Sequence, residues 1–309
     1  MITENETLKP MLIGLEMEPF NDPNYIYELK LDGERCLAFL DKSETVLRNK
    51  RSLKMIGKFP ELSQIHKQVK KGCVLDGELI VISEGQPNFY EVQRRSIMTN
   101  NFKIQLASSK LPATYTAFDI LYYDGKKVTD LPLIERKKLL EKNIKENERI
   151  AISRYIEENG IELYNLTKQQ NLEGIVAKRK ESKYYFDKRT KDWIKIKYLK
   201  DDDYILCGYI VKDNGIISIV LGQYREEHII YKGHVTMGIS SEDFKIISQQ
   251  KETCFYPFDE LPKGNENAVW IEPNLVCKVK FMMKTDKGTL RQPVYKGLRF
   301  DKKPIDCIE

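Results

Sequence analysis

Short apolar runs punctuated by turn residues fill the first two-thirds of the chain. They are YIYELKLDGERCLAFL (25–40), TVLRN (45–49), CVLDGELIVI (73–82), TYTAFDILYYDG (114–125), GIVAKRK (174–180) and WIKIKYL (193–199). Runs of this kind, broken by Gly, Asp and Asn, read as strands whose successive side chains take opposite faces of a sheet. Two stretches interrupt them with helical spacing. FPELSQIHKQVKK (59–71) is one, and LPLIERKKLLEKNIKENE (131–148), with Pro132 at its start, is the clearer. The class is α+β.

The pattern changes after Lys200. Asp201, Asp202 and Asp203 read as a polar linker, followed by the strand-like runs 204–211, 216–224, 228–235 and 275–283. One helix is expected at 241–250, capped by Ser240 or Ser241. About five strands and one helix in roughly 100 residues suggest a small OB-type barrel. The expected domains are therefore 1–200 and 201–309.

Composition excludes several classes. Hydrophobic residues are 41% and charged residues 31%, so neither a membrane protein nor a disordered chain fits. No apolar run approaches the ~20 residues that span a bilayer. The opening MITENETLKP carries acids where a signal peptide carries bases, so a cytoplasmic location is expected. The 6 cysteines include no C-x-x-C pair and there are only 3 histidines. A zinc site or a disulfide framework is not expected, and the histidines (His66, His228, His234) read as structural. The net charge of +5 is unevenly spread. The segment 201–277 is acidic, whereas 278–303 holds nine bases against two acids, which suggests a local site for phosphate.

The charges inside the apolar runs carry the chemistry. Glu28, Lys30, Asp32-Gly33 and Arg35 follow one another on the first run; Asp76-Gly77-Glu78 interrupts another. Phe118-Asp119 and Asp124-Gly125 share a third, Glu173 precedes Lys178 by five positions, and Lys195 and Lys197 lie on one face of a strand. Each alone reads equally as a turn or a solvated strand edge. Five in order along otherwise apolar strands are what a magnesium–nucleotide site needs: cations for phosphate oxygens and carboxylates for the metal. The P-loop pattern G-x-x-x-x-G-K-[ST] is absent.

The ordered set K-x-D-G-x-R, D-G-E, F-D-x-L-x-x-x-G, E-G-x-V-x-K and W-x-K-x-K resembles the covalent nucleotidyltransferases. Within them it is most similar to the small bacterial ATP-dependent DNA ligases, including the ligase module of end-joining enzymes. Leu47-Arg48-Asn49 followed by Phe59-Pro60-Glu61-Leu62, and the C-terminal R-x-P-x-Y-x-G-x-R-x-D-K (291–302, Tyr295 where Phe is usual), extend the resemblance over nearly the whole chain. Phe89-Tyr-Glu-Val-Gln93-Arg94-Arg95 resembles a family helix but reads equally as a plain solvated one.

The resemblance implies a nucleotidyltransferase (adenylation) domain of antiparallel sheets with helices, followed by an OB-fold domain. It implies ATP as cofactor with Mg²⁺ or Mn²⁺, and sealing of nicks through a lysine–AMP and a DNA-adenylate. Lys30 is then the nucleophile, Glu28 the residue near the adenine amine and Phe118 the aromatic under the base. Lys178, Lys195 and Lys197 neutralise the triphosphate and lower the Lys30 pKa. Glu78 and Glu173 hold the metal, and Glu78 also approaches the ribose. Arg35 meets ribose or the 5′-phosphate. Arg48, Arg299, Asp301 and Lys302 contact DNA or pyrophosphate, the last three on a domain expected to swing over the nucleotide with Asp201–Asp203 as hinge. Expected partners are nicked or broken duplex DNA and a DNA-end-binding protein such as Ku, with no membrane and a monomeric state. Because 29 residues precede Lys30, a separate N-terminal DNA-binding domain is not expected. The rivals are an RNA ligase, a GTP-using capping enzyme and a catalytically silent nucleic-acid-binding module. Presence of Lys30, Glu78 and Glu173 argues against the last.

Overall fold

The computed structural model describes residues 8–212, 215–285 and 287–309. The first seven residues, where the absence of a signal peptide was read, lie outside them. Two compact units result, Met1–Tyr198 and Leu199–Glu309.

The first unit contains, in chain order, β1 (Leu12–Glu16), β2 (Tyr25–Leu29), β3 (Glu34–Leu40), β4 (Thr45–Asn49), β5 (Cys73–Ser83) and β6 (Gln86–Pro87). Helices α1 (Phe89–Ser96) and α2 (Asn101–Lys110) precede β7 (Ala113–Tyr123) and β8 (Lys126–Lys127). Then come α3 (Leu133–Asn143), β9 (Ile150–Ile152), β10 (Tyr155–Glu157), α4 (Gly160–Gln169), β11 (Gly174–Arg179) and β12 (Arg189–Lys197). The strands make a five-stranded sheet ordered β1-β12-β11-β2-β10 and a seven-stranded sheet ordered β4-β3-β5-β7-β8, with β6 on β5 and β9 on β7.

Register decides what each face carries. In the smaller sheet Glu28 pairs with Val176 and Val176 with Lys195, while Ile26 pairs with Lys178 and Lys178 with Trp193. Cross-strand partners share a face, so Glu28, Lys178, Trp193, Lys195 and Lys197 lie together. The alternate residues Tyr25, Tyr27, Ile175, Ala177, Ile194 and Ile196 form an apolar cluster with Leu163 and Tyr164 of α4. In the larger sheet Arg35 pairs with Glu78 and Leu37 with Asp76. Its opposite face buries Cys36, Ala38, Leu75 and Leu79 with Val92 of α1 and Leu140 of α3. Leu37, Phe39 and Val74 pack with Met11, Tyr184 and Trp193, which joins the two sheets. The charged ends of both inner faces open beside this seam.

Several expectations are corrected. Residues 59–71 form two 3₁₀ turns, Pro60–Leu62 and Ile65–Gln68, not an α-helix. There the His66 N–H donates to the Thr45 hydroxyl at 3.1 Å instead of to a helical carbonyl. Helix α3 stops at Asn143, whose side chain bonds the Lys71 N–H and C=O at 2.8 and 3.0 Å. Helices α2 and α4 were not expected; α2 buries only Ile104 and Ala107 and leaves Phe102 exposed, so it has no apolar stripe to read. Asp124-Gly125 is a tight turn with positive φ at both residues, and Asp124 pairs with Lys71 at 3.2 Å rather than joining a site.

The second unit comprises β13 (Lys200–Val211), β14 (Ile217–Arg225), β15 (His228–Val235), α5 (Ser241–Ser248), β16 (Val269–Trp270), β17 (Val276–Phe281), β18 (Met283–Lys284), β19 (Leu290–Arg291) and β20 (Val294–Leu298). Its main sheet runs β15-β14-β13-β17-β20, with β16 on β13, and a Met237–Val294 bridge brings the segment after β15 to β20, as in an OB-type barrel. Tyr204, Leu206, Ile219, Leu221, Ile247, Val279 and Phe281 fill it. Ser240 caps α5, accepting from the Asp243 N–H at 3.0 Å. Asp201–Asp203 are not a linker. They open β13 and pair in register with Lys280, Val279 and Lys278 of β17. Their charges are met by Lys278 (2.8 Å to Asp201), Gln223 (3.0 Å to Asp202) and Arg299 (3.1 Å to Asp203).

Candidate active site

A cavity of about 190 Å³ opens where the inner faces of the two sheets of the first unit meet. Glu28, Lys30, Arg35, Glu78, Phe118 and Lys178 line it, together with the apolar Ile13, Leu31, Val176 and Trp193. Six of the residues singled out in the sequence thus meet at one place.

Lys30 follows β2, its N–H donating to the Gly174 carbonyl at 2.9 Å. Its Nζ lies 2.7 Å from Glu173 Oε1, and its side chain is 22% exposed, so the amine reaches the cavity mouth. Two glycines allow this approach. A Cβ on Gly174, which has φ +132, would stand 2.2 Å from the Ile196 carbonyl, and one on Gly33 would stand 2.0 Å from that of Leu79. Burial holds the Glu173 carboxyl above its usual range, with Lys30 opposing the shift. Burial pushes Glu78 up to about 8, against the pull of Lys30 and Arg35 and with Asp76 and Glu173 adding to it. Both shifts come first from burial, and both carboxyls feel the Lys30 charge.

The other end is apolar with one acid. Phe118 and Trp193 stand edge to face at 6.0 Å, and the Lys178 ammonium lies 4.4 Å and 4.2 Å from their ring centres. Lys178 also reaches Glu28 Oε2 at 3.1 Å. Burial lowers its pKa to about 8 despite Glu28. Glu28 itself is buried; burial alone would raise its carboxyl, but Lys137 and Lys178 outweigh that and hold it below its usual range.

Arg35 is fixed from behind. Its Nε and Nη2 donate to Asp76 at 3.0 and 2.5 Å, and Asp76 also accepts from the Tyr184 hydroxyl at 2.7 Å. A bidentate pair of this kind fixes the guanidinium plane. Lys195 pairs with Glu16 at 3.1 Å at the sheet edge. Lys197 has its pKa lowered, first by burial and further by Lys195 and Lys30, which puts it in the same cationic group. Arg48 does not line the cavity; its Nη1 donates to the Ser52 carbonyl at 2.9 Å. In the second unit Arg299 makes a bidentate pair with Asp301 at 2.8 and 2.7 Å, and Lys302 is exposed beside it.

Among the described residues no three metal-ligating side chains cluster. Glu78 and Glu173 could give a hard cation two oxygen ligands, leaving the rest to phosphate and water, as is usual for Mg²⁺. The oxygen donors suit a hard cation, with Glu173 shared between it and the Lys30 ammonium.

Sequence reasoning missed Lys137, Ser153, Tyr184 and Arg136, and gave Asp76 and Asp119 no role of their own. Asp76 and Asp119 lay inside recognised motifs. The others had no distinguishing pattern. Of the histidines, His66 meets the Thr45 hydroxyl at 3.0 Å and His234 meets Asn265 at 2.7 Å, while His228 is exposed, 3.2 Å from Asp259.

Comparison with known proteins agrees with this geometry. The family described as "ATP dependent DNA ligase domain" matches residues 10–197, and "ATP dependent DNA ligase C terminal region" matches 212–302. The SPbeta prophage-derived DNA ligase-like protein LigB of Bacillus subtilis is 32% identical over 94% of this chain and 99% of its own length. The multifunctional non-homologous end joining DNA repair protein LigD of Mycobacterium tuberculosis is 26% identical over 99% of this chain, which spans 40% of that protein. A solved structure of mycobacterial DNA ligase D complexed with ATP and MES aligns over 100% of both chains, with a TM-score of 0.58 and 25% identity.

Proposed function

The chain belongs to the ATP-dependent DNA ligases, and from that premise we propose how its own residues divide the sealing of nicks in duplex DNA. Lys30 is the nucleophile. The observation that carries this is the position of its Nζ at the mouth of the cavity that Glu28, Phe118 and Lys178 also line, 2.7 Å from Glu173.

The amine must lose its proton before it attacks. Glu173 Oε1, 2.7 Å away, orients the amine, and the proton passes to solvent at the open mouth of the cavity. The Nζ–P bond then forms at the α-phosphate, the bond to the β-phosphate oxygen breaks, and pyrophosphate leaves with that electron pair. Lys178, Lys195 and Lys197 meet the negative charge of the phosphates. Phe118 stacks on adenine and Glu28 accepts from its 6-amino group. A divalent cation, Mg²⁺ or Mn²⁺, held by Glu78 and Glu173 would supply further charge neutralisation. AMP passes next to the 5′-phosphate of the nick, where the fixed fork of Arg35 suits phosphate oxygens. The 3′-hydroxyl then displaces AMP.

Arg48, Arg299, Asp301 and Lys302 are assigned to DNA or pyrophosphate contacts. The nine bases of 278–303 support a phosphate-binding role for the second unit. Residues 1–200 and 201–309 would serve as adenylation and OB-fold domains. The names of the LigD relatives support work at broken ends; an end-binding protein such as Ku and a cytoplasmic location belong to the same proposal. Stimulation of end joining by such a protein, and not by albumin, tests that part.

The chemistry is tested by incubating the chain with α-labelled ATP and chasing with nicked duplex DNA. Label should enter the protein in wild type, pass to DNA, and be absent from Lys30→Ala and Lys30→Arg. Label retained on either variant overturns the assignment.

A further inference from the structure

Helix α3 sends two consecutive cations, Arg136 and Lys137, into the interior, and both are essentially without solvent. Arg136 is fully partnered: a bidentate pair with Asp119 at 2.8 and 2.9 Å, and the carbonyls of Leu131 and Ser182 at 2.6 and 2.9 Å. It reads as architecture. Lys137 is different. Its ammonium lies 2.6 Å from Glu28 Oε1 and 5.7 Å from the Tyr155 ring centre. A buried ion pair of this kind adds little stability over an apolar pair of similar size. Its presence therefore asks for another explanation.

Glu28 has two further contacts: the Ser153 hydroxyl donates to Oε2 at 2.8 Å, and Lys178 reaches the same oxygen at 3.1 Å. Lys178 has another task, since it lies over Phe118 and Trp193 and is the cation nearest the base-stacking slot. Lys178 is thus shared between Glu28, the two rings and, in the proposed reaction, phosphate. Lys137 and Ser153 then remain to hold Glu28.

We propose that Lys137, with Ser153, is a positioning pair that keeps the Glu28 carboxylate ionised and aimed, and so sets the preference for adenine over guanine nucleotides. This rests on the reading of Glu28 as the base-contacting acid. An ionised carboxylate only accepts hydrogen bonds. It accepts from the 6-amino group of adenine and is repelled by the 6-oxygen of guanine. A carboxyl released from Lys137 can take up a proton in this buried setting and donate to that oxygen. The discrimination then fails from both sides.

The test is equilibrium binding of the α,β-methylene analogues of ATP and GTP to the full chain by calorimetry, with self-adenylation by ATP and GTP measured in parallel. The expected result for Lys137→Met is a ten-fold or greater fall in the ATP-over-GTP ratio, carried by Kd and KM rather than kcat. Lys137→Arg, which keeps the charge, should retain most of the ratio. Ser153→Ala should shift it in the same direction by less, and this variant serves if Lys137→Met does not fold. Glu28→Gln separates the two readings. If Glu28→Gln loses the ratio while Lys137→Met, or Ser153→Ala in its place, keeps it, the positioning role is overturned. If Glu28→Gln also keeps the ratio, the base contact at Glu28 falls, and the positioning role with it.

Discussion

Replacing Glu78 by Gln should make the protein more stable and less active at the same pH. Burial raises the Glu78 carboxyl from 4.5 to about 8, and the nearby Asp76 and Glu173 add to the shift. A carboxyl whose folded pKa lies above its unfolded one favours the protonated form in the folded state. Its contribution is harmless below about pH 4.5, then costs stability progressively as pH rises toward 8. One pKa unit corresponds to about 1.4 kcal/mol. The raw shift would give about 5 kcal/mol, and the partial opening of the side chain to the cavity reduces this to about 2 kcal/mol. Glu78→Gln removes the ionisable group while keeping its shape. Thermal unfolding of the full chain should therefore show a Tm higher by roughly 4–8 °C at pH 8, and little difference at pH 4.5. Mg²⁺ with ATP should narrow the gap at pH 8, and self-adenylation should be lost throughout. A stability difference that is zero, negative or independent of pH would refute the reasoning.

Other outcomes follow from the same geometry. Arg136→Met strands the fully buried Asp119 and should cost about 3–5 kcal/mol in denaturant unfolding, with Asp119→Leu in the same chain restoring most of it. Lys178, with its pKa lowered to about 8, should lose its charge above that pH, so KM for ATP should rise there in wild type and not in Lys178→Arg. Nick sealing should fall steeply between low and moderate salt while self-adenylation changes little, because duplex DNA is held chiefly through phosphates; equal slopes would contradict this.

The parts of the site that could be read from sequence are those with period-two spacing. Glu28 and Lys30, or Lys195 and Lys197, alternate with apolar residues, and Tyr27, Ile194 and Ile196 are buried behind them, although Leu29, between Glu28 and Lys30, is 39% exposed. Charges on helices gave no such signal. In Glu135-Arg136-Lys137-Lys138 the outer two are exposed and pair with each other at 2.8 Å, while the inner two are buried against Asp119 and Glu28. No local pattern separates these pairs, because the burial comes from Glu28 on β2 and Asp119 on β7, outside the helix itself. Asp201–Asp203 were misread for the same reason: three acids look like a solvated link until Lys278 and Arg299 are brought beside them by β17 and the segment after β20. Likewise Arg95, on a helix that sequence left between a family element and a plain solvated one, is buried, pairing with Glu61 at 2.7 Å and stacking on Phe59 at 4.4 Å.

The most direct measurement is peptide mapping by mass spectrometry after reaction with ATP and Mg²⁺ in the absence of DNA. The expected result is one AMP per chain, acid-labile as a phosphoramidate and carried on the peptide containing Lys30, and its disappearance when nicked duplex is added and sealed. AMP on a different lysine, or nicks sealed by Lys30→Ala, would contradict the central assignment.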